Sequence, residues 1–116
     1  MKGIGIDIGG TNTKIIVMDS RNTLLHEERF HTMPERGQAD FMKRLVSAVK
    51  RLKNEWKPVS IGIGAAGDVD PEKGVMRFSP NLDRWRNVDV AGPLHKLTRL
   101  PCALENDANM AAWGAY

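Results

Sequence analysis

The chain has 116 residues, of which 27% are charged and 41% hydrophobic, and its formal net charge is +3. That composition is ordinary for one globular domain of about 100–200 residues, and it is too short for a large two-lobed enzyme. The basic residues are dispersed rather than blocked, which argues against a nucleic-acid tail, and a single cysteine, Cys102, excludes an intrachain disulfide or a cysteine-based zinc site within this chain. No apolar run is long enough to span a membrane and no signal-peptide core follows Met1-Lys2, so a reducing cytoplasm is the expected compartment.

In chain order, Ile4, Ile6 and Ile8 alternate through a strand near Gly3–Ile8, with Asp7 as its acid. The run breaks at Gly9-Gly10, continues as the polar residues Thr11 and Asn12, and leads into a second strand near Thr13–Asp19. Ser20-Arg21-Asn22 is a turn by composition; a third strand follows near Thr23–Met33, and Pro34 ends it. Short connections predict antiparallel neighbours for these three. After a polar loop, Phe41, Leu45, Ala48, Val49, Leu52 and Trp56 recur at three or four residues, which predicts a helix over Asp40–Trp56 with Asp40 as N-cap and Pro58 as stop. Val59–Ala65 is a fourth strand, and the strand–helix–strand order predicts a right-handed crossover into a parallel position.

Gly67–Gly74 reads as a turn region, Val75–Ser79 as a short pairing extension, and Pro80–Asn87 as a loop. Asp89 is the expected N-cap of a second helix near Val90–Arg99, which Pro101 closes. Cys102–Glu105 is a fifth strand, and Asn106-Asp107 opens a third helix over Ala108–Ala115. The sum is an α/β domain: one mixed five-stranded sheet, a three-stranded antiparallel meander plus two parallel strands, flanked by helices. Loops at one end of such a sheet bring together Gly9–Asn12, the 64–68 region and Asn106-Asp107, where ligands collect in open α/β sheets.

Four stretches carry chemistry. In the first, two glycines let backbone N–H groups approach a phosphate, and Asp7 suits the magnesium ion, or its water, that travels with a nucleotide. The same residues also suit a plain hairpin turn. It is not a Walker loop, which needs GxxxxGK[ST] opening a helix. In the second, Gly62–Gly67 spells GxGxxG but lies inside a strand pattern and runs into a turn, which argues against a dinucleotide fingerprint and for close backbone approach at Ala66-Gly67. In the third, Asn106 and Asp107 are either helix caps or, respectively, an amide that holds a substrate hydroxyl and a general base for another. A helix N-terminus stabilises the anion and weakens such a base, which phosphoryl transfer tolerates because its loose transition state asks the base mainly to orient a hydroxyl. In the fourth, Asn81–Asn87, with Trp85, suits a sugar rim and equally an anchored surface loop. His26, His31 and His95 have no ligand spacing, and the basic cluster from Lys43 to Lys57 reads as a solvated helix face.

Together, IDIGGTNTK, GIGAAGDVD, SPNLDRWRNVDV with LHKLTRLPC, and ENDANMAAWG are collinear over the whole chain and resemble the N-terminal lobe of the ROK family (repressors, open reading frames and sugar kinases). That family has the actin-like, hexokinase-type ATPase fold, which is ribonuclease H-like. The resemblance implies ATP-dependent phosphorylation of a hexose, glucose-like or an N-acetylhexosamine, usually at the 6-hydroxyl. It implies that Asp7, Gly9, Gly10, Thr11 and Asn12 form the first phosphate motif, with Asp7 near magnesium through water. It implies that Asp107 is the catalytic base, that Asn106 binds the sugar beside it, and that Asn81, Ala66 and Gly67 line the sugar pocket. Ala66 stands where family members often have proline, which weakens the correspondence at that turn.

The resemblance also implies a second lobe outside these 116 residues, holding a Glu/His sugar set, a structural zinc site, a second phosphate motif and the adenosine pocket. The isolated lobe is therefore expected to be inactive. A sugar-responsive regulator of the same family is the second reading; such proteins carry a winged helix-turn-helix ahead of this lobe, for which Met1, two residues before the first strand, leaves no space. A non-catalytic truncated fragment is the third. Met110, Trp113 and Tyr116 give the last helix an apolar side that favours a homodimer. Neither nucleic acid nor a membrane is an expected partner.

Overall fold

Alternation of apolar residues builds the first half of the computed structural model, which describes residues 1–82 and 84–106. Strand β1 (Lys2–Ile8) pairs antiparallel with β2 (Asn12–Asp19), placing Ile4 opposite Val17, Ile6 opposite Ile15 and Ile8 opposite Thr13. These six side chains share one face of the sheet, and all six are buried. Strand β3 (Leu24–His31) continues the meander along β2.

Helix α1 (Gln38–Trp56) buries Phe41, Leu45, Val49 and Leu52, one stripe at helical spacing. The chain then enters β4 (Ser60–Ala65), buried at every position and parallel to β1, with Ile61 beside Ile4 and Ile63 beside Ile6. The last strand of this sheet, Cys102–Glu105, lies parallel to β4 and sets Leu104 beside Ile63. The mixed five-stranded sheet expected from the sequence is present, with β1 at its centre.

Between β4 and that last strand lies a feature of which only the pairing stretch at Val75–Ser79 was expected from the sequence. Strands β5 (Asp68–Asp70), β6 (Val75–Phe78) and β7 (Val88–Asp89) form a second, antiparallel sheet in that order. Gly67–Gly74 is thus not a turn throughout: Asp68–Asp70 is a strand, and the reversal is confined to Pro71–Gly74, where Gly74 has φ 67°. Val69, buried opposite Met76, and a two-pronged pairing of Arg77 with Asp68 at 3.0 and 3.2 Å hold it extended. Helix α2 (Ala91–Thr98) then leads to β8, as Cys102–Glu105 is called from here, and completes the order β3-β2-β1-β4-β8. Helices α1 and α2 touch each other, and their buried residues join one core with β1, β2, β4 and β8.

Three boundaries move. Asp40 is not the N-cap of α1: Gly37, at φ 91°, turns the chain into the helix two residues earlier than expected, and Asp40 instead accepts a hydrogen bond from Arg44 Nε at 2.9 Å. Asp89 lies in β7 and Val90 occupies the cap position of α2, although the Asp89 carboxylate does accept the Gly92 N–H at 2.9 Å. The third strand stops at His31 rather than Met33, because Met33 takes a left-handed conformation and Pro34–Arg36 forms a single 3-10 turn. The helix expected over Ala108–Ala115 lies outside the described residues. Among the described residues no helix is long and apolar enough to cross a membrane.

Candidate functional site

The turn between β1 and β2 is closed by the Gly9 N–H donating to the Asn12 carbonyl at 3.1 Å. A β-carbon on Gly9 would sit 2.7 Å from that same oxygen, so the closure requires glycine here. Thr11 and Asn12 are exposed at the tip. Asp7, also exposed, is on the sheet face opposite Ile6 and Ile8, level with Lys14 on one side and Gly64 on the other.

The underside of the turn is held by Thr32, which is fully buried and which the sequence reading missed. Its N–H donates to the Thr11 carbonyl at 2.8 Å, and its hydroxyl donates to the Gly9 carbonyl at 2.7 Å and lies 2.9 Å from the Thr13 hydroxyl. Arg44 of α1 in turn donates to the carbonyls of His31 at 2.7 Å and Thr32 at 2.6 Å. A threonine just beyond a strand carries no motif, so nothing in the sequence marks it out.

Parallel pairing brings the other loops to the same edge. Ile8 is level with Ala65, and Gly64 with Glu105, so β1, β4 and β8 all run out where the glycine turn begins. Beyond β4, Ala66 and Gly67 are exposed; Gly67 has φ 111°, and a β-carbon there would meet the Phe78 carbonyl oxygen at 2.4 Å. The Gly67 carbonyl accepts a hydrogen bond from Asn106 Nδ2 at 2.9 Å. This one glycine ties the end of β4 to the ends of β6 and β8. Gly62 and Gly64 are strand residues within β4, not the opening of a helix, as expected.

The loop after β6 is anchored, the second of its two expected readings. Leu82 and Trp85 are buried; the Trp85 ring lies 5.1 Å from that of Phe41, and its Nε1 donates to the Pro34 carbonyl at 3.0 Å. Gln38 brackets the Arg86 backbone, accepting from its N–H at 3.3 Å and donating to its carbonyl at 3.4 Å. The anchored half of the loop leaves Asn81 exposed, and there Asn81 meets the glycine turn: a β-carbon on Gly10 would lie 2.9 Å from Asn81 Cβ. A groove of about 660 Å³ lined by Pro34, Glu35, Gln38, Asn81, Arg84 and Trp85 adjoins a smaller one of about 340 Å³ that reaches Gly10 and Thr11; Pro34 and Glu35 line both.

The structure therefore brings Gly9–Asn12 against Asn81, and Gly67 against Asn106, along one edge of the sheet. Asp107, the expected base, lies outside the described residues. Among the described residues no group of three or more His, Cys, Asp or Glu side chains could hold a metal ion.

The family model described as ROK family matches residues 3–116. A glucokinase from Thermotoga maritima is 33% identical over 114 residues, an alignment covering 98% of this chain and 36% of the relative. A xylose repressor from Caldicellulosiruptor bescii is 28% identical over 116 residues, covering 96% of this chain and 29% of the repressor. Among solved structures, a ROK family glucokinase from Streptomyces griseus in complex with glucose and AMPPNP superposes with a TM-score of 0.80 at 34% identity, covering 100% of this chain and 36% of that one. The fold is the actin-like ATPase fold of these kinases. The chain spans about a third of the length of the relatives it matches.

Proposed function

The chain belongs to the ROK family, and on that premise we propose that it forms the N-terminal lobe of a two-lobed sugar kinase that moves the γ-phosphoryl group of ATP to a hexose hydroxyl. The substrate class is glucose-like or an N-acetylhexosamine. The observation that carries the reading is the contact of Gly10 with Asn81, which sets a phosphate-suited turn directly against an exposed polar loop.

The turn fits a phosphate. Gly9 and Gly10 leave the space that β-carbons would fill, and an exposed carboxylate stands two residues upstream. In this reading Gly9, Gly10, Thr11 and Asn12 hold the phosphates, and Asp7 faces magnesium through water. When bound, magnesium offsets phosphate charge. Asn81, Ala66, Gly67 and Asn106 line the sugar, with the Gly67–Asn106 hydrogen bond fixing the last two relative to each other. Asp107 orients the acceptor hydroxyl and takes its proton. The second lobe supplies the structural zinc and the rest of the cleft, so these 116 residues alone do not phosphorylate sugar. The same reading places the protein in the cytoplasm, and self-association through residues 110–116 belongs to it as well.

The relatedness to a xylose repressor favours a second reading, a sugar-binding lobe of a regulator. One experiment separates them. The full-length parent is assayed with MgATP against glucose and N-acetylhexosamines, alongside its Asp107→Asn variant. Turnover by the parent, abolished in the variant while sugar binding survives, is expected. Retained turnover in Asp107→Asn would sink the base assignment. Sugar binding by the parent without phosphorylation of any hexose would favour the regulator. ATP-dependent phosphorylation by the 116-residue chain itself would overturn its predicted inactivity.

A further inference from the structure

We propose that Thr32 is a positioning residue for the glycine turn, setting its affinity for a polyphosphate without touching the ligand. The inference rests on the phosphate reading of that turn given above.

Thr32 grips the turn at two points, through its backbone N–H on the Thr11 carbonyl and its hydroxyl on the Gly9 carbonyl. The second grip has a directional consequence. The Gly9 carbonyl and the Gly10 N–H belong to one trans peptide and point in opposite directions. Holding the carbonyl down onto a fully buried threonine therefore turns the Gly10 N–H away from the core, as a phosphate donor must be.

The hydroxyl inventory fixes the rest of the chain of bonds. Thr32 has one hydroxyl proton, which goes to the Gly9 carbonyl, so the Thr13 hydroxyl is the donor in the 2.9 Å contact between the two threonines. The relay runs from Thr13 to Thr32 to Gly9, and each donor strengthens the next. Arg44 keeps Thr32 in place from the other side, through the Thr32 and His31 carbonyls, and is itself oriented by Asp40. The turn is thereby tied to α1, across the meander.

Thr32→Val keeps the shape and removes the hydroxyl. The 116-residue chain is titrated with magnesium tripolyphosphate, and the amide resonance and hydrogen exchange of Gly10 are followed by NMR. Thr32→Val should weaken tripolyphosphate binding about tenfold and shift the Gly10 amide, with the fold measured by circular dichroism unchanged. Thr32→Ser should restore both, and Thr13→Val should give a smaller loss of the same kind. Unaltered affinity and an unaltered Gly10 resonance in Thr32→Val would overturn the proposal. If the unaltered chain binds no tripolyphosphate, the phosphate reading fails; the Gly10 resonance and exchange then decide by themselves whether Thr32 orients the turn. Should Thr32→Val not fold, Thr13→Val is read by the same criteria, and an unchanged Gly10 amide there overturns the relay.

Discussion

Gly10 and Asn81 are packed so closely that a methyl group on the glycine would come within 2.9 Å of the asparagine β-carbon and 3.0 Å of its carbonyl oxygen. The turn after β1 and the loop after β6 are thus one mechanical unit. Gly10→Ala should push Asn81 outwards and destabilise the domain by about 1–3 kcal/mol, read as a lower urea midpoint. Under the proposed kinase function, affinity for nucleotide and for sugar should fall together in the full-length protein. Loss of one alone would show that the two loops act independently.

Gly67→Ala should be the more damaging glycine substitution. Its φ of 111° strains any side chain, and the obstacle at 2.4 Å is backbone, which cannot swing aside. A loss of about 3 kcal/mol or more is expected in chemical denaturation. Asn106→Leu, which removes only the hydrogen bond to the Gly67 carbonyl, should cost about 1 kcal/mol. An unchanged midpoint for Gly67→Ala would contradict the close approach of this turn to Phe78.

Glu28 links β3 to α1 through Arg51 and also contacts His26 at 2.7 Å. Partial burial pushes its carboxyl upward, but the hydrogen bonds from Arg51 and His26 outweigh that and hold it below its ordinary value of 4.5. A carboxylate whose folded value is depressed stabilises the fold above the unfolded value, and that contribution disappears as pH falls through the folded one. The gap in thermal midpoint between the unaltered chain and Glu28→Gln should therefore be present at neutral pH and close in acid, below about pH 4. A gap constant across that range would mean that the carboxylate's charge is not what matters.

Cys102, partly buried beside α2, is pushed by burial up to about 11. Because the thiolate is the nucleophile, iodoacetamide at pH 8 should modify it on the order of a hundredfold more slowly than free cysteine. Modification at the rate of the free amino acid would place the thiol in water.

The large sheet was legible because each of its parts announces itself locally. Ile4, Ile6 and Ile8 alternate, Phe41 to Leu52 recur at helical spacing, and the sequence of short and long connections sets which pairs are antiparallel and which parallel. Of the small sheet only Val75–Ser79 was legible: β5 has three residues inside a stretch rich in Asp, Gly and Pro, and its partners Met76 and Arg77 make it a strand. The capping residues were near misses, since Asp89 still reaches the first turn of α2 from within a strand, whereas Gly37 displaced Asp40 by supplying a backbone turn that no side chain signals. For the site, the glycines and exposed polar residues could be picked out by type. Thr32 could not, because its role comes from where the end of β3 is placed, and Trp85 shows its anchoring function only once Pro34 is beside it.

The strand order has a consequence for how the molecule assembles. Strands β1, β2 and β3 are neighbours in the chain as well as in the sheet, so the glycine turn and its Thr32 support close short loops. Asn81 reaches the same edge only after the long excursion through α1, and Asn106 only after that through α2 as well. Loop-closure entropy then sets a timetable in which the meander gains structure first. Pulse-labelled amides of Asp7 and Val17 should be protected before those of Ile63 and Ala103, and the reverse order would sink the idea. On the ribosome, where residues are added from the N-terminal side, the glycine turn and its Thr32 support are made while Asn81 and Asn106 are still to be synthesised.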